Sequence, residues 1–254
     1  SAGTSITLHA IWTKDALLDT GQTVNQKLKR LAGKSSATYS TQDTSITALE
    51  RSSTLPNGFT PSTENTISDS TSPLPIYAWY DSANTTIYYY SYATNILMNR
   101  NSISLFEEMR ALSNLTTIST WDTTKLALAS RMFYYTGYST TSFTLDLSSW
   151  DTSHAINMAY MFFNAGRNAT TWSIGGLDSW NVSSVVDMWR MFGYAAYSID
   201  TFSLDLSSWD VSNVTDMFCM FTDERISFRR FPIIRSCLFT CCCRFEIAIE
   251  SLFP

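Results

Sequence analysis

The sequence contains little charge, few cysteines and no long apolar run. Charged residues make up 15 % of the 254 residues and hydrophobic residues 44 %, so the chain has enough apolar surface for a folded core and is not wholly disordered. The absence of any uncharged apolar stretch of about 18 residues excludes a membrane-spanning helix. All five cysteines lie at position 219 or beyond, which excludes a disulfide framework for the rest of the chain.

Motifs of the common enzyme classes are also missing. The sequence has no GxSxG, HExxH, P-loop or GxGxxG pattern, and these motifs carry nucleophilic, zinc-dependent and nucleotide-dependent chemistry. Cys237 and Cys241–Cys243 match no standard zinc spacing. The formal net charge of −5, without a lysine- or arginine-rich stripe, argues against nucleic-acid binding. We therefore expect no catalytic residues, no metal and no cofactor.

Four tryptophans mark an internal repeat of 29 to 30 residues. They are Trp121, Trp150, Trp180 and Trp209. A Met-Phe pair follows each tryptophan at the same distance, as Met132-Phe133, Met161-Phe162, Met191-Phe192 and Met220-Phe221. The string LDLSSWD occurs unchanged at 145–151 and 204–210. Matches at several offsets indicate a true repeat, and we expect its tryptophan, methionine and phenylalanine side chains to pack in the core.

The hydrophobic period of each repeat changes at the tryptophan. Leu145 and Leu147 alternate with polar residues, which is typical of a short strand with one buried face. Val214, Met217 and Met220 are spaced by three residues, which predicts one face of a short helical segment. Because a single copy buries too little surface to offset the entropy cost of ordering its chain, the copies are expected to stack on one another.

These repeats resemble a known class of bacterial surface protein. The strings LDLSSWDVSNVTDMFCMF (204–221), LDLSSWDTSHAINMAYMF (145–162) and LDSWNVSSVVDMWRMF (177–192) are similar to the repeat of BspA-like leucine-rich repeat proteins, a group that includes mycoplasma lipoprotein-associated repeats. The resemblance implies an α+β repeat, namely a short leucine-rich-type solenoid with one short strand and one short helical segment per repeat of 29–30 residues. It also implies export to the bacterial cell surface, or secretion, and adhesion to host proteins or neighbouring cells.

The same resemblance divides the repeat region. Residues 119–221 are expected to form the array, with WDTTKLALASRMF (121–133) as a divergent first copy, and residues 76–118 resemble the N-terminal cap of such arrays. In LDLSSW the tryptophan stands where the usual leucine-rich repeat has asparagine. Stacked indoles are therefore expected in place of an asparagine ladder.

The segments outside the array are less regular. Residues 1–13 resemble the final strand of a Listeria–Bacteroides-type repeat, which implies that the chain is a piece of a longer protein. Residues 14–75 are expected to form a polar linker with one helix, because Val24, Leu28 and Leu31 precede Gly33 at helical spacing. Residues 222–254 form a non-repeat tail without tryptophan, which is either out of frame with the natural coding sequence or a genuine cysteine-bearing cap.

Two groups of side chains are the candidate ligand contacts. Outward positions of the strands form the first group, namely Asp146, Ser148, Asp205 and Ser207. Loop tyrosines form the second, namely Tyr134, Tyr135, Tyr138, Tyr194 and Tyr197. Tyrosine supplies contact area at low entropic cost, and the alternative is that these rings pack on the adjacent repeat.

Recurring polar residues argue for a structural rather than a catalytic role. The aspartates that directly follow a tryptophan are Asp122, Asp151 and Asp210, and their recurrence predicts hydrogen bonds to backbone N–H groups of a turn. His154 takes a position that other copies fill with different polar residues, so it is expected to be solvated, and His9 lies in a strand-like segment. We expect a non-catalytic adhesion or protein-binding module with host or neighbouring-cell surface proteins as partners. The alternative is a passive spacer that projects another domain from the cell surface.

Overall fold

The computed structural model describes residues 15–199, 202–222 and 226–228. Its nine strands are β1 (Asp15–Leu17), β2 (Ala48–Arg51), β3 (Tyr77–Asp81), β4 (Thr86–Tyr90), β5 (Asn95–Leu97), β6 (Ser142–Asp146), β7 (Thr171–Gly175), β8 (Phe202–Leu204) and β9 (Ile226–Phe228). The helices of this part of the chain are the α-helix α1 (Gly21–Leu31) and two 3₁₀ helices, Thr116–Thr120 and Leu177–Ser179.

The strands form four small sheets. Strands β1 and β5 pair in parallel, and β2, β4 and β3 form a three-stranded sheet in that order, with β3 antiparallel to β4. Strands β6 and β7 pair in parallel, as do β8 and β9. Strands β6 and β7 alternate between exposed and buried residues, as expected for strands with one buried face.

The N-terminal part packs around helix α1. Its apolar side chains Val24 and Leu28 are buried, and it ends before Gly33, whose φ of 92° lets its N–H bond the Arg30 carbonyl. The range 14–75, for which the sequence suggested a polar linker, thus supplies β1, α1 and β2 to the packed structure. The predicted upstream β module at 1–13, with His9, lies outside the described residues, as does the predicted tail except for Thr222 and strand β9.

Successive repeats lie side by side and share backbone hydrogen bonds. A column of parallel bridges joins equivalent residues, namely Asn101, Leu128, Asn157, Asp187 and Asp216. Next to it, the Phe133 N–H donates to the Met161 carbonyl (2.8 Å), and the Phe162 N–H donates to the Met191 carbonyl (2.8 Å). Each copy therefore satisfies backbone groups of its neighbour.

The predicted fold class, an α+β leucine-rich-type solenoid with one strand and one helix per repeat, is wrong. Within the described residues, the chain consists mostly of small sheets, and its one α-helix lies outside the repeats. The segment after each tryptophan forms consecutive turns instead of a helix. For example, the Met132 N–H bonds the Ala129 carbonyl, and the Tyr134 N–H bonds the Arg131 carbonyl.

Backbone geometry explains why these segments are not helical. In each copy, the residue three positions after the bridge residue has a positive φ, between 51° and 57°. These residues are Arg131, Tyr160, Arg190 and Cys219. This conformation cannot continue a right-handed helix. Turns that close every second or third residue also direct apolar side chains inward at spacings of three to four, so the sequence pattern of a helix and of these turns is the same.

Stacked aromatic rings fill the core of the repeats. The rings of one column lie 5.2 to 5.5 Å apart, and they belong to Phe106, Phe133, Phe162, Phe192 and Phe221. The indoles of Trp150 and Trp180 are parallel within 4° at 6.4 Å, and those of Trp180 and Trp209 are parallel within 4° at 6.3 Å. The four tryptophans and the four Met-Phe pairs of the repeat signature are all buried.

Candidate binding surfaces

Indole hydrogen bonds fix the register between repeats. Trp150 Nε1 donates to the carbonyl of Ile118 (3.1 Å), three residues before the preceding tryptophan. Equivalent bonds join Trp180 to the Leu147 carbonyl (3.3 Å) and Trp209 to the Leu177 carbonyl (2.7 Å). Because the indole N–H groups of Trp150, Trp180 and Trp209 have the same partner in the neighbouring copy, equivalent outward side chains come to lie in rows across the array.

In the first copy, the indole N–H has a different hydrogen-bond acceptor. Trp121 Nε1 donates to the hydroxyl oxygen of Tyr89 (2.9 Å), and that hydroxyl lies 2.6 Å from Thr117 Oγ1. Burial raises the pKa of the Tyr89 hydroxyl above its usual value, although the bonds to Thr117 and Trp121 act in the opposite direction. The start of the repeat array is thus tied to strand β4.

The predicted strand-face residues are exposed, and they bond to one another. Asp146 Oδ1 accepts bonds from the Ser148 hydroxyl (2.6 Å) and the Ser148 N–H (3.1 Å). Asp205 Oδ1 accepts a bond from the Ser207 N–H (3.0 Å). The hydroxyl bond, followed by the backbone bond, lowers the pKa of Asp146. These side chains therefore shape the turn into the tryptophan while remaining open to solvent.

The aspartates after the tryptophans make the same kind of turn. Asp151 Oδ1 accepts the Ser153 N–H (2.9 Å), and Asp210 Oδ1 accepts the Ser212 N–H (3.0 Å). Hydrogen bonds from the serines two residues later lower the pKa values of both carboxyls. Asn181 performs this task in the third copy with the N–H and hydroxyl of Ser183. The backbone bonding predicted from their recurrence is confirmed.

Four of the loop tyrosines pack under an arginine that precedes their own repeat. The Arg110 guanidinium lies 5.0 Å from the ring centre of Tyr135 and 4.9 Å from that of Tyr138. The Arg167 guanidinium lies 5.0 Å and 4.1 Å from the centres of Tyr194 and Tyr197. Distances of this size allow cation–π attraction.

Tyr134 packs against a ring of the next repeat and an arginine of its own repeat. Its ring stacks on Phe163 at 5.3 Å, and the Arg131 guanidinium lies 4.0 Å from its centre. Arg131 also forms an ion pair with the fully buried carboxylate of Glu107. Each predicted tyrosine thus buries part of its ring by packing on other side chains, which is the alternative to ligand contact. Tyr197 nevertheless keeps 39 % of its surface exposed.

A row of exposed apolar side chains crosses three repeats, and we name it the apolar strip. Its members are Ile156, Val186, Trp189 and Phe218, with exposed fractions of 37 to 42 %. Tyr160 extends the strip, because its ring lies 5.0 Å from that of Trp189.

Turn geometry positions the apolar strip. Asp187 Oδ1 accepts the Trp189 N–H (3.0 Å), and Asp216 Oδ1 accepts the Phe218 N–H (2.9 Å). Sequence reasoning missed this strip because it assigned the segment to a helix. The available signal was Trp189 and Phe218 at a register that other copies fill with Ser130 and Ala159.

Comparison with known proteins places the repeats in a family. Residues 94–173 and 167–230 match the model of a family described as "Mycoplasma protein of unknown function, DUF285". The chain belongs to the DUF285 family. Searches of curated proteins and of solved structures returned no significant match.

The DUF285 match covers every surface described above. Both rows of predicted contacts and the apolar strip lie between residues 94 and 230. Within the described residues, no three histidine, cysteine, aspartate or glutamate side chains converge as metal ligands. His154 is exposed, and its Nδ1 lies 3.1 Å from the Ser153 hydroxyl. None of the helices in this part of the chain has the length and apolar character that a bilayer crossing requires.

Proposed function

We propose that this DUF285 chain is a non-catalytic repeat module of a bacterial cell surface that binds proteins of a host or of neighbouring cells. The apolar strip carries the proposal. Contiguous exposed apolar side chains are uncommon on monomeric proteins and are typical of protein-binding sites. Tryptophan and phenylalanine are enriched at the centres of such interfaces.

The surroundings of the apolar strip support the same proposal. Asp187 and Asp216 border it with polar groups, and a polar rim around an apolar centre is typical of protein interfaces. Hydrogen bonds to Asp187 and Asp216 hold the backbone at Trp189 and Phe218, so little backbone conformational entropy is lost when a partner binds. The resemblance of the repeats to BspA-like surface proteins agrees with adhesion and with a location outside the cell.

The second candidate function is that of a passive spacer. The outward residues of β6 and β7 favour it, because they are small and polar, as in the register pairs Ser142–Thr171 and Thr144–Ser173. A spacer requires no particular outward side chain. The two functions therefore differ in how substitutions on the apolar strip affect attachment.

The test compares the natural chain with a Trp189→Ala and Phe218→Ala double variant. Ala159 occupies the same register in another copy, so the substitutions suit the fold. Binding of both chains to immobilised fibronectin, laminin and collagen, and to intact bacteria, is measured by biolayer interferometry and cell pull-down. We expect the double variant to weaken binding about 30-fold or more, as for loss of an interface tryptophan.

A Thr144→Ser variant is the matched control. It imitates Ser173 on the neighbouring strand and lies away from the apolar strip, so it should bind as the natural chain does. Equal binding by the double variant, or no binding of the natural chain to any of these probes, would favour the spacer. The cell-surface location is tested separately by antibody labelling of intact cells that express the parent gene.

A further inference from the structure

The three-stranded sheet near the N-terminus has an aromatic outer face. Along β3 and β4, the side chains of Ala78, Ile87 and Tyr89 are buried in the core. The alternating residues Tyr77, Trp79, Tyr88 and Tyr90 point to the opposite side and are partly exposed. A sheet with one packed face and one open face normally carries polar residues outside, so four aromatic side chains there require an explanation.

These rings form a platform of two neighbouring rows on one face of the sheet. Trp79 pairs with Tyr88 across the strands, and their rings stack at 5.9 Å with an angle of 25°. Tyr77 pairs with Tyr90 in the next row. Tyr92, which is 68 % exposed, packs edge-on against Tyr90 at 5.1 Å.

One loop residue borders this platform. The ring of Phe59 lies 5.5 Å from that of Tyr77 and 5.9 Å from that of Trp79. We name Phe59, Tyr77, Trp79, Tyr88, Tyr90 and Tyr92 the aromatic face.

Hydrogen-bonding groups continue the Trp79–Tyr88 row across the sheet. Glu50 of β2 is in register with Tyr88, and its Oε1 accepts a bond from Asn114 Nδ2 (3.1 Å). At the other border, Asp81 Oδ2 accepts a bond from Asn84 Nδ2 (2.7 Å). Carboxylate and amide groups thus lie beside the rings on two sides.

Two carboxylates border the aromatic face, those of Glu50 and Asp81. The cation on strands β2 to β4, Arg51, donates to the backbone carbonyls of Ala93 and Thr94. An anionic ligand such as a nucleic acid or a sulfated polysaccharide would meet repulsion here. The ligand that suits this surface is uncharged.

We propose that the aromatic face, with Glu50 and Asn114, binds a neutral glycan. A sugar ring has apolar C–H faces that pack on aromatic rings, and hydroxyl groups at its edge that bond carboxylates and amides. Apart from Asn114, the residues of this site lie before residue 94, so its aromatic part is outside the DUF285 match and the site is distinct from the apolar strip. It is independent of the proposed protein-binding function.

The experiment is affinity electrophoresis of the full chain in gels that contain one polysaccharide each. The neutral probes are mixed-linkage β-glucan, xylan, galactomannan and glycogen, and the anionic probe is heparin. We expect retardation by at least one neutral probe and none by heparin. Trp79→Ala and Tyr92→Ala should each weaken binding to that probe about tenfold.

Three further variants separate the site from a general effect. Tyr197→Ala removes an exposed tyrosine from another surface and should leave retardation unchanged. Glu50→Gln keeps the shape of the side chain and its bond to Asn114, so it should alter affinity for the neutral probe without altering thermal unfolding. Because Tyr92 is largely exposed, its substitution leaves the fold intact even where Trp79→Ala does not. Retardation by no neutral probe, retardation by heparin alone, or equal retardation of the Tyr92→Ala variant would each overturn the proposal.

Discussion

The indole N–H groups of Trp150, Trp180 and Trp209 each bond the repeat before them, in addition to the backbone bonds between repeats. The Ile118 carbonyl accepts the backbone N–H of Trp121 as well as Nε1 of Trp150. In a Trp150→Phe variant, the aromatic packing largely remains, while the second bond is lost and a small cavity forms. We expect the free energy of unfolding to fall by about 1–2 kcal/mol, as measured by urea denaturation.

Trp189→Phe is the comparison for this prediction. Trp189 lies on the surface, so its change to phenylalanine should alter unfolding by less than about 0.5 kcal/mol. If both variants unfold alike, the indole bond contributes nothing measurable to stability.

A buried lysine gives the protein an unusual dependence on pH. Lys29 Nζ donates to the carbonyls of Tyr39 and Glu107 (2.7 Å each), and burial lowers its pKa from 10.5 to about 8, despite the nearby Glu107 and Asp43 carboxylates. Below pH 8 the amine is charged in both the folded and unfolded states. Between pH 8 and 10.5 only the unfolded state keeps the proton, so the free energy of unfolding should rise with pH in that window.

Urea denaturation at pH 7.5 and 9.5 measures this rise. A Lys29→Met variant has no amine at that position and should show a flatter profile between the two values. A natural chain whose stability is constant or falls over this range would contradict the assignment. Burial raises the pKa values of Tyr89 and Tyr134 from 10.0. Their contribution to the free energy of unfolding therefore falls only as the pH rises above about 10, and it does not cancel the effect of Lys29.

At the scale of elements, the glycine that follows strand β7 lies directly against the segment that follows β6. Gly176 has a φ of 88°, and a Cβ there would lie 2.2 Å from Ser148 Cα and 2.4 Å from Ser148 N. Both obstacles are backbone atoms, so the segments that follow β6 and β7 would have to separate. We expect Gly176→Ala to prevent cooperative unfolding or to lower the melting temperature by about 10 °C or more.

Gly58→Ala isolates the part of this effect that comes from backbone strain. Gly58 also has a positive φ, 74°, but a Cβ would meet nothing within 4 Å. Its substitution should therefore cost only about 1–2 kcal/mol. Similar melting temperatures for the two variants would show that close contact with Ser148 is unimportant.

Elements also show what the sequence could predict. The spacing of the tryptophans located every repeat, because each indole requires a partner at a fixed distance along the chain. The same sequence gave no sign that the Val214–Met220 segment is built from turns, since both structures place an apolar side chain inward every three or four residues. The positive φ at Arg131 and Arg190 was equally hidden, because glycine, which usually marks it, is absent there.

For the binding surfaces, too, the sequence identified some residues and missed others. Alternation along β6 identified Asp146 as outward-facing, since a strand of period two has one exposed face. Trp189 was missed because its outward direction depends on the turn that Asp187 closes. Stacking of Arg167 on Tyr197 was also beyond the sequence, because it joins side chains of different repeats.

For the whole molecule, equivalent bonds between all copies predict that one copy can be removed intact. Deletion of residues 147–176 joins Asp146 to Leu177. The Ile118 carbonyl would then accept the indole N–H of Trp180 instead of that of Trp150. We expect a folded protein with one cooperative transition and a lower free energy of unfolding, because one interface between neighbours is lost. Circular dichroism during thermal unfolding measures both properties.

Deletion of residues 147–161 is the matched control. It removes half a copy, so tryptophans and carbonyl acceptors no longer correspond, and no cooperative transition is expected. If the two deletions unfold alike, the register between copies does not depend on the indole bonds.

The carbonyls that accept the indole N–H groups of Trp150, Trp180 and Trp209 sit at equivalent positions of successive copies, and this has a consequence for how such genes change. Recombination between homologous segments of DNA can add or remove whole units, and each new junction already contains a matching donor and acceptor. Residues on the outside, such as Trp189 where another unit has Ala159, are free to vary from unit to unit. The arrangement thus lets length and surface diversify separately, while the interior chemistry stays constant.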